Sequence, residues 1–103
     1  MVRYVLRWEV DYGHFGEVVR AVEALNAIRR DRGWPEWSPW APLFGKGNEM
    51  VLVAEYDDLA AHGSNMDAAY ADPEFMDAWR QCAEHSVQGS RWTEILAPAP
   101  HLA

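Results

Sequence analysis

The hydrophobic period of this chain alternates between that of a strand and that of a helix, and this alternation restricts the fold more than any other feature. Apolar and polar side chains alternate over residues 2–10, which predicts a strand with one apolar and one polar face. The apolar residues that follow have the spacing of an amphipathic helix: Phe15, Val18, Val19, Val22, Leu25 and Ile28. Basic residues and Gly33 suit a helix C-terminus over residues 29–33.

Two further segments of strand character follow this helix. Three prolines within residues 34–44 cannot donate hydrogen bonds to a sheet, so this segment is predicted to be an edge strand or an extended segment. A tight turn at residues 45–48 leads into residues 49–56, which are rich in Val and Leu as central strands are.

The helical region that follows is predicted to lie in two pieces because it has two start signals. Asp57 and Asp58 can cap a first helix, and Asp72 followed by Pro73 marks a second start. The first helix carries Leu59, His62, Met66, Ala69 and Tyr70 on one stripe, and the second carries Phe75, Met76, Trp79, Cys82 and Ala83. Residues 87–96 return to extended character.

The resulting order of strand, helix, strand, strand, helix, strand predicts an α+β protein with a ferredoxin-like βαββαβ fold. Its antiparallel sheet has the order 4-1-3-2, with the helices on one face. This order places the proline-bearing strand at an edge and the Val-rich strand inside. The domain is predicted to span residues 1–97, and residues 98–103 are predicted to be a C-terminal tail without a core.

Composition excludes several classes of partner. Nine Lys and Arg stand against sixteen Asp and Glu, so a phosphate backbone or an anionic membrane would be repelled. No apolar run approaches the roughly 20 residues that span a bilayer, and Arg3, Arg7 and Glu9 interrupt the first ten residues, where a signal peptide would need an apolar core. A soluble, cytoplasmic protein is therefore expected. Cys82 is expected to be a small buried side chain.

Three short segments together resemble one family. Phe44-Gly45-Lys46-Gly47-Asn48 precedes an apolar strand that ends in Glu55-Tyr56-Asp57-Asp58-Leu59-Ala60, and Ala71-Asp72-Pro73-Glu74-Phe75 follows. In this spacing they are similar to the NIPSNAP-like branch of the dimeric α+β barrel superfamily. The resemblance implies a homodimer in which the open sheets of two ferredoxin-like subunits form one barrel. It also implies a ligand cavity between each sheet and its own helices.

The pattern of the strands also favours a homodimer, independently of the family resemblance. The face opposite the helices is predicted to mix charged residues with valines: Arg3, Arg7, Glu9, Glu49, Glu55 and Arg91 with Val5, Val51 and Val53. Such a face suits burial against a twofold copy, with charges paired across strands. The alternative is a monomer with a solvated face.

Six tryptophans predict an aromatic pocket between sheet and helices. The candidate ligand-binding residues are Tyr4, Trp8, Trp40, Tyr56, Phe75 and Trp79, and Trp92 is a further candidate for the wall. His62 is the candidate general base, and Tyr70 the candidate proton donor. The alternatives are that the aromatics fill a core and that His62 is bonded to backbone or water.

No cofactor or metal site is predicted, because the histidines at 14, 62, 85 and 101 lack ligand spacing. The resemblance adds that haem-degrading relatives use an Asn on the first strand, which is missing here, and that Trp79 lies near their haem-ligand position. Phe75 stands where plant polyketide cyclases have a His. Quinone-forming monooxygenases use a cavity set similar to Trp8, Trp79, Tyr70 and Arg80.

The favoured hypothesis is a homodimeric, cofactor-independent oxygenase or cyclase that acts on an aromatic or polyketide-like small molecule. The alternative is a non-catalytic ligand-binding or protein-interaction dimer of NIPSNAP-like type, with Trp34, Trp37 and Trp40 as an exposed ladder for a partner protein. A third hypothesis is haem handling through His85.

Overall fold

The computed structural model describes residues 1–102, and within them four strands form one antiparallel sheet. The elements in chain order are β1 (Val2–Glu9), α1 (Phe15–Asp31), β2 (Ser38–Trp40), β3 (Glu49–Tyr56), α2 (Leu59–Tyr70), α3 (Pro73–Ala83), β4 (Trp92–Leu96) and a short 3-10 helix (Ala99–Leu102). The sheet order is β2-β3-β1-β4. The predicted ferredoxin-like fold and strand order are therefore confirmed. The predicted boundary between domain and tail stays a prediction.

The sheet is built on the long pairing of β1 with β3. This antiparallel register runs from Val2 opposite Tyr56 to Glu9 opposite Glu49. Strand β4 pairs with the other side of β1, and β2 pairs with β3 over three residues only. Pro39 is the middle residue of β2, at the sheet edge, because an edge strand tolerates a residue without an N–H donor.

Side chains cap both pieces of the second helical region, as the sequence predicts. The Asp58 carboxylate accepts a hydrogen bond from the Ala61 amide at 2.8 Å, and the Asp72 carboxylate accepts one from the Phe75 amide at 3.1 Å. Helix α1 is followed by Gly33 with φ +73°, a left-handed conformation that favours glycine.

The predicted apolar stripe of α2 is wrong in part. Leu59 and Tyr70 are 61% and 65% exposed, and the buried side chains of this helix are those of Asn65 and Ala69. Tyr70 is exposed because it borders an open cavity between α2 and the sheet, described below.

The core lies between the helices and the facing side of the sheet. Its strand residues are Tyr4, Leu6, Trp8 and Val10 on the β1 side and Met50, Leu52, Ala54 and Tyr56 on β3. Cys82 on α3 is fully buried there, as predicted, and burial raises the pKa of its thiol to about 12. The thiolate that reacts with electrophiles is therefore suppressed near neutral pH.

The opposite side of the sheet, here called the back face, carries charges that pair across strands. Arg3 contacts Glu55 at 3.0 Å, and Arg7 contacts Glu94 at 3.1 Å and Glu49 at 3.8 Å. Three apolar side chains remain exposed on the same face: Trp40, Trp92 and Leu96. Within residues 1–102, no helix has the length and apolar character needed to cross a bilayer.

Candidate ligand cavity

A cavity of about 730 Å³ lies between the sheet and helices α2 and α3. Its volume falls within the range of roughly 300–1,000 Å³ that is usual for small-molecule sites. The lining residues are Tyr4, Leu6, Arg29, Trp37, His62, Met66, Ala69, Tyr70, Phe75, Met76, Trp79, Arg91 and Thr93. The space under α2 is therefore open and is lined by both aromatic side chains and polar groups.

Aromatic rings packed edge to face form one wall of the cavity. Phe75 and Trp79 lie one turn apart on α3, and the Trp37 ring meets each of them at a centroid distance of 5.9 Å. Asn26 fixes Trp37 through two hydrogen bonds to its backbone, at 2.7 and 2.8 Å. This edge-to-face packing gives the cavity an aromatic wall, which suits an apolar or aromatic ligand.

His62 lies on the wall formed by α2. Its ring centroid is 4.7 Å from that of Tyr4 and 5.1 Å from that of Tyr56. The Nε2 atom is buried and has no hydrogen-bond partner among the described residues. Burial, together with the nearby positive charge of Arg29, lowers the pKa of His62. The imidazole is therefore neutral at neutral pH and faces the sheet, as the helical spacing predicts.

Arg29 is a charged residue of the cavity that sequence reasoning missed. It lies in the last turn of α1 and is completely buried. Its Nε donates to the Pro35 carbonyl at 2.6 Å, and its Nη2 donates to the Tyr56 hydroxyl at 3.0 Å and to Asn65 Oδ1 at 2.5 Å. Its burial could have been inferred from the sequence, because it lies four residues after Leu25 and therefore on the buried stripe of α1.

The two tyrosines of the cavity occupy different depths. Tyr4 is buried in β1, and this burial is the main cause that raises the pKa of its phenol. Tyr4 therefore stays protonated and can donate a hydrogen bond. Tyr70 is largely exposed and lies on the open side of the cavity.

Several predicted site residues lie elsewhere. Trp40 and Trp92 are on the back face, so their predicted place in the pocket is wrong; both strands present these positions away from the helices. Trp8 is packed in the core behind Trp79, and Tyr56 lies behind the cavity wall, bonded to Arg29. Arg80 is exposed and pairs with Asp77.

The predicted exposed ladder of three tryptophans is also wrong. Trp37 is buried and Trp34 is half-buried, since both pack against Phe75. Trp40 alone of the three is exposed.

His85 lies outside the cavity, in a cluster that the sequence did not reveal. Its ring stacks on that of His14 at 3.8 Å with an interplanar angle of 9°, and Glu17 contacts both rings at 3.0 and 3.1 Å. The hydrogen bond from His14 is the main cause that lowers the pKa of Glu17. These residue types can bind zinc, but two parallel rings would have to rotate to direct their nitrogens at one ion.

No protein-family model matches the sequence, and no curated protein matches it either. Solved structures do match in three dimensions. A NIPSNAP domain protein from Burkholderia xenovorans superposes with a TM-score of 0.79 at 16% identity, covering 96% of this chain and 95% of that one. A NIPSNAP family protein from Agrobacterium tumefaciens gives a TM-score of 0.76 at 14% identity, with coverages of 95% and 85%.

A protein described as an antibiotic biosynthesis monooxygenase gives a TM-score of 0.73 at 14% identity, covering 97% of this chain and 100% of that one. At these identities the comparisons define the fold: the ferredoxin-like α+β fold shared by NIPSNAP-like proteins and antibiotic biosynthesis monooxygenases. The fold that the NIPSNAP-like resemblance predicts is thereby confirmed.

Proposed function

We propose that this protein binds an aromatic or polyketide-like small molecule in the cavity and acts on it without a cofactor, as an oxygenase or a cyclase. The observation that carries the proposal is the neutral, unpartnered His62 on the wall of an open aromatic cavity. A neutral imidazole can accept a proton from a hydroxyl or an acidic carbon of a substrate held against it.

Proton removal leaves a phenolate or an enolate, which supplies the reactivity. In the oxygenase reaction, dioxygen oxidises this anion: one oxygen atom becomes a new carbonyl oxygen of the substrate, and the other leaves as water. In the cyclase reaction, the enolate carbon attacks a carbonyl carbon of the same molecule, and water is then eliminated. Tyr70 or Tyr4 donates the proton that the new alkoxide needs. The name of the structurally similar monooxygenase supports the first reaction.

The test is to replace His62→Gln and to follow oxygen uptake and product formation with a panel of naphthols and 1,3-diketones. Turnover should fall by at least about 100-fold, the usual effect of removing a general base. The matched control is His85→Gln, because His85 is also partly buried but lies outside the cavity. An unchanged rate in the His62 variant would contradict its role as the base.

The pH profile of turnover gives a second test of the same residue. Because the pKa of His62 is lowered, the base stays neutral as the pH falls past 6.5, the ordinary value for histidine. Turnover should therefore decline only at lower pH, where the imidazole becomes protonated. An acidic limb centred at or above 6.5 would be inconsistent with this assignment.

A second candidate function is a non-catalytic ligand-binding or protein-interaction dimer, which the exposed apolar residues of the back face favour. In that case His62→Gln leaves partner binding unchanged, and Trp40→Ala weakens it.

In both functions we propose that a second copy of the chain covers the back face. A groove on this face is lined by Val5, Val53, Trp40 and Leu96 and is flanked by the pair Arg3 and Glu55. Its charges are already paired within the subunit, so a twofold copy can bury the apolar residues without leaving a charge unpaired.

A further inference from the structure

We propose that the ligand of the cavity is an acid whose ionised oxygen pairs with the Arg29 guanidinium. This inference rests on the proposed small-molecule function and names the class of compound. Arg29 is fully buried, and its Nη1 has no hydrogen-bond partner among the described residues. An isolated buried charge is unfavourable unless an opposite charge or a full set of hydrogen bonds compensates it.

The groups that hold Arg29 are all neutral. Its three acceptors are a backbone carbonyl, a tyrosine hydroxyl and an amide oxygen, and none of the salt bridges within residues 1–102 involves it. The faces of Trp37 and Phe75, at 4.7 and 5.6 Å from the guanidinium carbon, add an attraction that is also without formal charge. Arg29 is thus fixed in place while its counter-ion is missing from the chain itself.

The cavity is lined by positively charged side chains, although the net charge of the protein is negative. Acidic residues outnumber basic ones by sixteen to nine along the chain. The cavity lining nevertheless contains two arginines, Arg29 and Arg91, and no Asp or Glu. Arg91 is exposed, so its charge attracts an anionic ligand to the cavity, and Arg29 is the buried cation that the ligand meets inside.

The geometry also limits how the acid is bound. Nε and Nη2 of Arg29 already donate to protein oxygens, so Nη1 is the donor left for one anionic oxygen of the ligand, which reaches this buried atom once a lining side chain moves aside. The aromatic rings of Phe75 and Trp79 then contact the apolar part of the ligand. A carboxylate or a phenolate on a fused aromatic ring has this combination of features, and experiment separates the two.

The test is isothermal titration calorimetry at pH 7 with 2-naphthoate, its neutral isostere 2-naphthamide, and 2-naphthol. The wild-type protein should bind 2-naphthoate at least about tenfold more tightly than 2-naphthamide, as a charge-assisted hydrogen bond predicts. Tightest binding of 2-naphthol, with the absorbance of the naphtholate anion, would also support the inference and would assign the oxygen to a phenolate.

Arginine variants show which positive charge causes the preference for 2-naphthoate. Arg29→Met should remove the preference for 2-naphthoate and leave the affinity for 2-naphthamide within about threefold, since the apolar contacts remain. Arg29→Lys keeps the charge and should retain part of the preference. The matched control is Arg20→Met on the same helix, which is exposed and outside the cavity and should keep the wild-type preference. A preference that survives in Arg29→Met would overturn the inference.

The outcomes separate this inference from the proposed function. Equal affinity of the wild type for 2-naphthoate and 2-naphthamide would overturn the inference that the ligand is an acid, while the proposal that the cavity binds an aromatic compound would stand. Binding of none of the three compounds would overturn both. If the protein binds 2-naphthoate preferentially but shows no turnover, the inference of an acidic ligand is supported and only the proposed catalysis is contradicted.

Discussion

Arg29 has two roles that follow from one position. Its guanidinium joins the segment before β2 through Pro35, strand β3 through Tyr56, and helix α2 through Asn65. The same group forms part of the cavity wall. The hydroxyl of Tyr56 should therefore contribute to stability, because it lies in a buried network around a charge.

Tyr56→Phe removes that hydroxyl and keeps the ring. We expect the free energy of unfolding to fall by about 1–3 kcal/mol, the usual range for a buried hydrogen bond to a charged group. Urea denaturation followed by tryptophan fluorescence measures the change. Tyr12→Phe is the matched control, since Tyr12 is 87% exposed, and it should change stability by less than about 0.5 kcal/mol. Equal stability of the two variants would show that the Tyr56 hydroxyl does not stabilise the folded protein.

Helix α2 positions His62 and Asn65 although it buries little apolar surface itself. Asn65 and Ala69 are its buried residues. A helix with so few core contacts depends more than usual on its capping interactions. Asp58 makes that interaction one turn before His62, through its hydrogen bond to the Ala61 amide.

Asp58→Ala should destabilise the protein by about 1 kcal/mol, since it removes the N-cap of α2. Hydrogen exchange should show the loss first in the amides of α2. Asp57→Ala is the control because Asp57 is also exposed, precedes the same helix and makes no side-chain hydrogen bond within the described residues. Identical exchange in both variants would exclude a role for the cap.

The molecule as a whole has two differently built sides. The side with the helices encloses the core and the cavity, and the back face combines paired charges with exposed Trp40, Trp92 and Leu96. Exposed apolar side chains grouped on one sheet face are typical of an interaction surface. The proposed occupant is a second copy of the chain.

Sedimentation equilibrium tests this pairing. The wild type should sediment at twice the chain mass of 11.8 kDa, and Trp40→Glu should shift it toward the single-chain mass, because a buried unpaired carboxylate opposes association. Tyr12→Glu introduces the same charge at another exposed aromatic residue and should leave the mass unchanged. A wild type at the single-chain mass would rule out the pairing.

The fold could be predicted from the chain because its signals are local. The alternation over residues 2–10, the caps at Asp58 and Asp72, and the prolines of the edge strand each act within a few residues of themselves. Such patterns restrict the backbone wherever the segment ends up in space. The sequence alone was therefore sufficient for the element order, the sheet order and the two-piece helical region.

The composition of the cavity depends on contacts between distant segments. Arg29 meets Asn65 across 36 positions, and His14 stacks on His85 although neither shares a local pattern with the other. Trp40 and Trp79 have the same chemistry, yet strand pairing turns one to the back face while helix packing places the other beside the cavity. No local periodicity encodes these distances, because they arise when the helices pack on the sheet.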